Sequence, residues 1–391
     1  MKNRSVQSQP PLSAEFSSYS SQLPSGSPAV AILLPSLMGG GAERVAVNLA
    51  NEFVARGVPT DLVLMQAEGG WLQHVDPRVG IVDLGVARVR HLLFPLVRYW
   101  KTRRPRTLMA YMWPLTIVAF CARVLAGVAS RLVFSEHTTW SVSEMYAKRL
   151  TRLRIKVSMR VLYRCADAVM SVSAGSARDL EKIAWLDRGS VITVYNPIVG
   201  ARAIDAGSAS CVKEWSVGAH KRVIAVGTLK AIKDYRTLLI AFDRVARDVD
   251  SRLLILGEGE ERSDLQALVS QLGLGGRVFM PGFVIDPGSY LAQADLHVLS
   301  SKGEGFGNVI VEALEHGVPV VSTDCPSGPR EILEDGKYGA LVPVGDVVAL
   351  AHAMQEALSR SHDPEALKLR ARAFSVNSAA DAYLKILLGP I

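Results

Sequence analysis

Short apolar runs alternate along the chain with segments in which apolar residues return every three or four positions, the periods of strands and helices. The first run, Ala29–Leu34, is apolar throughout, as a parallel strand covered on both faces must be. It breaks at Met38-Gly39-Gly40-Gly41. Beyond the glycines Val45, Leu49 and Phe53 keep to one helical face, and Gly57 stands where a C-terminal cap is expected. Leu62–Met65 reads as the next strand, completing a βαβ unit. Runs at Thr107–Tyr111, Arg131–Phe134, Ala168–Val172 and Val191–Val194 continue the series, and a second one comprises Arg222–Val226, Leu253–Leu256, Val278–Met280, Leu296–Leu299 and Pro319–Ser322. The pattern predicts an α/β chain of two Rossmann-like, doubly wound domains whose strands end on a cleft.

The expected divisions are a disordered tail over 1–28, a first domain over 29–197 and a linker over 198–220 after Tyr195-Asn196-Pro197. A second domain over 221–372 follows, and 373–391 is expected to form a helix returning to the first domain. A length of 391 residues suits two cores, and 49% hydrophobic against 21% charged residues suits a globular chain. Cys121, Cys165, Cys211 and Cys325 have no zinc, redox or disulfide spacing, which predicts reduced thiols and no metal. The most apolar stretch, Leu108 to Phe134, is interrupted by Pro114, Arg123 and Arg131, so no membrane span is expected.

Charge adds a further distinction. Residues 1–205 carry 25 Lys+Arg against 14 Asp+Glu, whereas residues 206–391 carry 19 against 23. Two acid-free segments hold most of the excess. One runs from Arg88 to Arg106, with Phe94, Tyr99 and Trp100 interleaved. The other contains Lys148, Arg149, Arg152, Arg154, Lys156, Arg160 and Arg164, alternating with Leu150, Leu153, Ile155, Val157, Val161 and Leu162. The second reads as a basic amphipathic helix suited to an anionic membrane surface, although a solvated helix with one core face has the same pattern. No nucleic-acid motif accompanies it.

The richest chemistry lies in Lys302-Gly303-Glu304-Gly305-Phe306-Gly307-Asn308-Val309-Ile310-Val311-Glu312-Ala313, between a strand and a helix ending near Gly317. Gly305 and Gly307 allow the backbone to approach a ligand and leave N–H groups at a helix N-terminus, an anion site. Glu312, about a turn into the helix, can only accept hydrogen bonds, as sugar or ribose hydroxyls require. A tight turn with two solvated acids is the plainer alternative. Gly39-Gly40-Gly41 offers a similar choice between anion binding and helix packing. His137, directly after a buried strand, stands where open α/β sheets place function, or serves as a structural histidine. Gly257-Glu258-Gly259-Glu260-Glu261-Arg262 is not read as a dinucleotide fingerprint, because Arg262 replaces the third glycine and three acids would face a pyrophosphate.

Glu304 and Glu312 resemble the Glu-x7-Glu motif of retaining GT-B glycosyltransferases, especially family 4. Gly317-Val318-Pro319, Pro326-Ser327-Gly328-Pro329-Arg330-Glu331, Leu256-Gly257-Glu258-Gly259 and Pro281-Gly282-Phe283 extend the resemblance in order from about residue 30 onward. It implies a GT-B fold, with the first domain on the acceptor side and the second holding a nucleotide sugar. Glu312 would then bind the ribose, Glu304 the transferred sugar, and the backbone of Gly305, Phe306, Gly307, Asn308 and Val309 the sugar and phosphates. Pro281, Gly282 and Phe283 would lie beside the base, Gly40 and Gly41 over the diphosphate, and His137 against the sugar. Lys233 matches a family lysine that meets the diphosphate. The usual arginine is replaced by Thr228, with Lys230 as a candidate substitute.

The resemblance implies a retaining, metal-independent transfer of a hexose or N-acetylhexosamine, UDP-sugar favoured. No cofactor is implied beyond the donor substrate. The Pro326–Glu331 segment resembles a branch that builds capsules, exopolysaccharides and lipid-linked oligosaccharides, so a lipid-linked glycan acceptor and a peripheral site on the cytoplasmic membrane face are expected. A non-catalytic nucleotide-sugar binding protein and a GT-B enzyme with a soluble acceptor are the alternatives.

Overall fold

The computed structural model describes residues 27–198 and 213–389. The expected tail lies almost wholly outside these residues, as does most of the expected linker, whose last part carries the short helix Lys213–Ser216 with Trp215 buried. The described residues form two sheets.

The seven-stranded sheet contains β1 (Val30–Leu34), β2 (Thr60–Leu64), β3 (Gly80–Asp83), β4 (Thr107–Tyr111), β5 (Arg131–Glu136), β6 (Ala168–Ser171) and β7 (Val191–Thr193), in the spatial order β3-β2-β1-β4-β5-β6-β7. The six-stranded sheet contains β8 (Lys221–Val226), β9 (Ser251–Leu256), β10 (Val278–Gly282), β11 (Leu296–Leu299), β12 (Val320–Thr323) and β13 (Ala340–Val342), ordered β10-β9-β8-β11-β12-β13. Both repeat the doubly wound order, so strand order reverses between β1 and β4 and again between β8 and β11. Ligands of such sheets bind beyond the carboxyl ends of the strands at these switch points.

Parallel pairing explains the uninterrupted apolar runs. β1, β2 and β4 are buried at every position, whereas β3, at the sheet edge, alternates half-buried and exposed residues. In the second sheet Val223 and Ala225 face one core while Ile224 faces the other, and Leu253 and Ile255 likewise oppose Leu254 and Leu256. That is the two-residue period of a strand covered by helices on both sides.

The chain divides into two compact units. One runs to Ser135 and includes Cys165–Ala168 and the segment from Ala380. In it the part of the C-terminal helix Val376–Leu388 that begins at Ala380 is held by Thr107 Oγ1, which donates to the Leu387 carbonyl at 2.6 Å, by Arg106 on the Leu388 carbonyl at 2.9 Å, and by an Arg56–Asp381 ion pair. The other unit comprises Glu136–Arg164 and Val169–Ala379.

Candidate active site

Within the second unit, the loops after β8 and β11 flank the switch point, and polar contacts join them. Lys302 N donates to the Ile232 carbonyl at 2.8 Å, and Ser300 Oγ donates to the Lys233 carbonyl at 2.9 Å. Lys233, ending the 3-10 turn Ala231–Lys233, places its Nζ 2.6 Å from Glu304 Oε1, and Ser301 Oγ donates to the same oxygen at 2.6 Å. Two residues proposed from separate motifs thus form one charge-assisted pair. The Lys233 and Glu304 side chains are only 20% and 10% exposed, so loss of either partner would leave a poorly solvated charge. Burial and the nearby Glu304 charge push the Cys325 thiol up to about 12. The same two causes raise the Tyr235 phenol, so both groups remain neutral near the pair.

The helix Asn308–Glu315 begins immediately after the glutamate loop, with Glu312 one turn in and 5% exposed. Phe306 cannot offer its ring to a ligand there. Its side chain is buried against Tyr195 and Phe374, with centroids at 5.5 and 5.4 Å, so it presents only backbone. Gly305 has a packing reason to be glycine besides the ligand approach expected of it: a Cβ there would lie 2.1 Å from the His137 carbonyl oxygen. Backbone packs on backbone, and any side chain would clash. Further contacts hold the loop. Thr139 Oγ1 donates to the Glu304 carbonyl at 2.6 Å and Ser173 Oγ to the Gly305 carbonyl at 2.7 Å. The Asn196 amide donates to Asn308 Oδ1 at 2.8 Å. Glu331 accepts from the Ala174 and Gly175 amides, both at 2.8 Å. Thr139, Ser173, Asn196 and Ser301 were not singled out in the sequence; the available signal was that each closely follows a strand.

His137 follows β5 directly and retains partial exposure, yet dense surroundings lower its pKa to about 3 by desolvation, leaving a neutral imidazole at physiological pH. Thr228 and Lys230 are exposed, and Lys230 caps the turn that carries Lys233. Pro281 and Gly282 end β10, with Phe283 beyond them 49% exposed. The sequence Asp248-Val249-Asp250 spells an acidic pair, but it precedes the amino end of β9, away from the carboxyl ends that carry these loops. Among the described residues no group of three or more His, Cys, Asp or Glu side chains is placed to hold a metal ion.

In the first unit the glycine loop follows β1 at the other switch point. Glu43, in the first turn of the helix Gly41–Ala55, curls back so that its Oε2 accepts from the Gly39 and Gly40 amides at 2.6 and 2.8 Å. An anion reaching the Gly40 amide would have to share that donor with Glu43. Of the aromatic residues in the Arg88–Arg106 segment, Tyr99 and Trp100 belong to the core rather than to a surface patch, and only Phe94 is exposed.

The basic segment of the second unit forms the helix Arg149–Leu162. Ile155 and Met159 are its buried residues, whereas Leu150, Leu153, Val157 and Val161 are each more than half exposed. At 100° per residue these four fall within about 80° of one another. Arg149, Arg154, Lys156 and Arg160 are also exposed, and Arg152 and Lys156 approach the Tyr146 ring at 5.9 Å. Arg160 stacks 3.8 Å from the centroid of Trp185, itself 57% exposed. No described helix is long and apolar enough to cross a membrane.

The two doubly wound sheets are those of a GT-B glycosyltransferase. Residues 39–201 match the family described as Glycosyltransferase Family 4, and residues 220–360 match Glycosyl transferases group 1. A relative from Campylobacter jejuni, N-acetylgalactosamine-N,N'-diacetylbacillosaminyl-diphospho-undecaprenol 4-alpha-N-acetylgalactosaminyltransferase, is 30% identical over 378 residues, 92% of this chain and 99% of its own. The lipopolysaccharide core biosynthesis glycosyltransferase LpsE of Rhizobium meliloti is 29% identical over 360 residues, 89% of this chain and 96% of its own. The chain belongs to this glycosyltransferase family. The fold also matches Anabaena HepE, solved with UDP-glucose, at a TM-score of 0.77 and 21% identity, covering 92% of this chain and 99% of that one.

Proposed function

We propose that the enzyme transfers a hexose or N-acetylhexosamine with retention, from a UDP-sugar to a lipid-linked glycan during envelope polysaccharide or oligosaccharide assembly. The observation that carries the reading is the Lys233–Glu304 pair at 2.6 Å, beside the helix that bears Glu312. Glu312 accepts from the ribose hydroxyls, and Glu304 accepts from the transferred sugar. Lys233 and the helix N-terminal amides balance the charge that develops on the departing diphosphate, without a metal. The anomeric carbon–phosphate oxygen bond breaks and a bond to the acceptor oxygen forms on the same face. The acceptor proton leaves to UDP or solvent. Neutral His137 can share a hydrogen bond with a sugar hydroxyl but carries no charge.

The relative named for a diphospho-undecaprenol substrate supports a lipid-linked acceptor. So does the Arg149–Leu162 helix, which offers Leu150, Leu153, Val157 and Val161 to the bilayer with basic residues around them. Each cation near an anionic surface contributes about 1 kcal/mol, so binding is peripheral and salt-sensitive. Exposed Trp185 provides an interfacial aromatic beside Arg160.

The test measures UDP-sugar turnover with an undecaprenyl-diphosphate-linked sugar in anionic vesicles. Lys233→Ala is expected to remove most activity and Lys230→Ala part of it, while chelator leaves the wild-type rate intact. A rate abolished by chelator and restored by Mn²⁺ contradicts the metal-free mechanism. Changing Arg149, Arg152, Arg154 and Lys156 together to Gln should abolish vesicle sedimentation while preserving donor hydrolysis. Unchanged sedimentation removes the lipid-facing role of this helix.

A further inference from the structure

The carboxyl ends of β5, β6 and β7, adjacent in the sheet, each lead to a polar side chain that bonds the glutamate loop. Thr139 donates to the carbonyl of Glu304 at 2.6 Å, Ser173 to that of Gly305 at 2.7 Å, and Asn196 to the side chain of Asn308 at 2.8 Å. All three are buried, and their contacts are with the loop rather than with one another. Each has a steric or structural anchor. Thr139 Oγ1 also lies 2.8 Å from Ser327 Oγ, Ser173 caps the helix Ala174–Ala184 by accepting from Ser176 N, and Asn196 precedes Pro197. Gly305 is pressed to within 2.1 Å, measured from its ideal Cβ position, of the His137 carbonyl, so this side of the loop is closed to ligand.

Peptide geometry makes those contacts directional. In a trans peptide the C=O and the following N–H point in opposite directions. A hydroxyl that fixes the Glu304 carbonyl therefore fixes the Gly305 N–H on the other side of the loop, and one that fixes the Gly305 carbonyl does the same for the Phe306 N–H. Asn196 similarly limits the rotation of Asn308, the first residue of the helix that carries Glu312.

We infer that Thr139, Ser173 and Asn196 are positioning residues for sugar transfer: they aim the Gly305 and Phe306 amides and the Asn308 side chain at the donor before it binds. This rests on the reading of the Glu304–Asn308 loop as the donor site. Donors aimed in advance stabilise charge that develops in the transition state more than charge present in the bound ground state, so their disorder affects kcat more than affinity.

The experiment compares Thr139→Val, Ser173→Ala and Asn196→Ala with the wild-type enzyme in UDP-sugar turnover, UDP calorimetry and thermal unfolding. Thr139→Val and Ser173→Ala should lower kcat about ten- to a hundredfold, with UDP affinity changed less than about threefold. Asn196→Ala should have the same sense and a smaller size. Thr139→Ser and Ser173→Thr, which restore the donor hydroxyl, should recover most of the rate. Thermal unfolding separates positioning from folding: Thr139→Val, Ser173→Ala and Asn196→Ala should each remain folded at the assay temperature while turning over slowly.

Wild-type kcat in Thr139→Val and Ser173→Ala overturns the inference. Equal losses in the valine and serine variants at position 139 also overturn it, because the hydroxyl would then not be the active feature. Lys233→Ala and Glu304→Ala, measured alongside, keep the two claims apart. If they are inactive while Thr139→Val is normal, only the positioning role fails; if they too are normal, the donor-site reading fails.

Discussion

Two glycine-rich turns, each between a strand and a helix at a switch point, have opposite internal solutions. The Gly39–Gly41 loop of the first unit satisfies its own amides, since Glu43 bonds Gly39 and Gly40 within four residues of sequence. The Gly303–Gly307 loop of the second unit is instead held through its carbonyls by Thr139 and Ser173, and its glutamate is paired with Lys233 from another loop. One turn is organised locally and the other by distant segments. Loops with the same glycine signal therefore differ in what a substitution should cost.

The largest contrast is expected between Gly305→Ala and Gly40→Ala. A methyl group at 305 must displace the His137 carbonyl, 2.1 Å away, whereas at 40 the nearest atoms are those of the flexible Glu43 side chain at 3.5 Å, with φ at an ordinary −72°. Gly305→Ala should lose about 1–3 kcal/mol of stability and at least about a hundredfold in kcat. Gly40→Ala should lose less than about 1 kcal/mol. Urea unfolding of both variants checks this; equal stability would remove the distinction between a locally satisfied turn and a packed one.

Acid should affect the second region first. β11, which leads into the glutamate loop, contains fully buried His297, while β1, which leads into the glycine loop, contains no titratable residue. Among the described residues neither His297 ring nitrogen has a hydrogen-bonding partner, and burial lowers its pKa to about 3. The unfolded chain, with a histidine near its ordinary value of about 6.5, takes up the proton first. Stability from this group is therefore complete above about pH 6.5 and is lost as pH falls toward 3, with a slope of up to about 1.4 kcal/mol per pH unit. Unfolding titrations should give a shallower acid slope for His297→Leu than for wild type, and identical slopes would refute it.

A smaller effect is expected of Glu43→Ala, which removes two amide contacts at a helix start and should cost about 1 kcal/mol. If the glycine loop serves a diphosphate, the freed amides should also leave UDP affinity equal or higher. Weaker UDP binding in calorimetry would mean that Glu43 supports the loop's shape rather than competing for its donors.

Much of the architecture was legible because parallel strands buried on both faces leave continuous apolar runs. Thr107–Tyr111 and Leu296–Leu299 were identified to the residue. β3 and β13 were missed: both are short, and neither is wholly buried, so neither leaves a sustained run. The glutamate loop was recognisable from its glycines and its two carboxylates. The Lys233–Glu304 pair was not, because its members lie 71 residues apart and meet only when β8 and β11 become neighbours. The packing of Gly305 on the His137 carbonyl was not legible either, because no local pattern encodes that contact. The Arg149–Leu162 helix was legible as a basic amphipathic one, but periodicity alone does not say that Ile155 and Met159 are the residues that meet the core.

The central claim is that the loop and helix spanning Glu304 to Glu312 form the donor site. Calorimetry with UDP on wild type, Glu312→Ala and Glu304→Ala tests it most directly. Glu312→Ala should weaken UDP binding by about 1–3 kcal/mol, as a ribose hydroxyl pair loses its acceptor, while Glu304→Ala should bind UDP comparably and lose UDP-sugar turnover. Unchanged UDP affinity in Glu312→Ala, in a variant that unfolds like wild type, would contradict it.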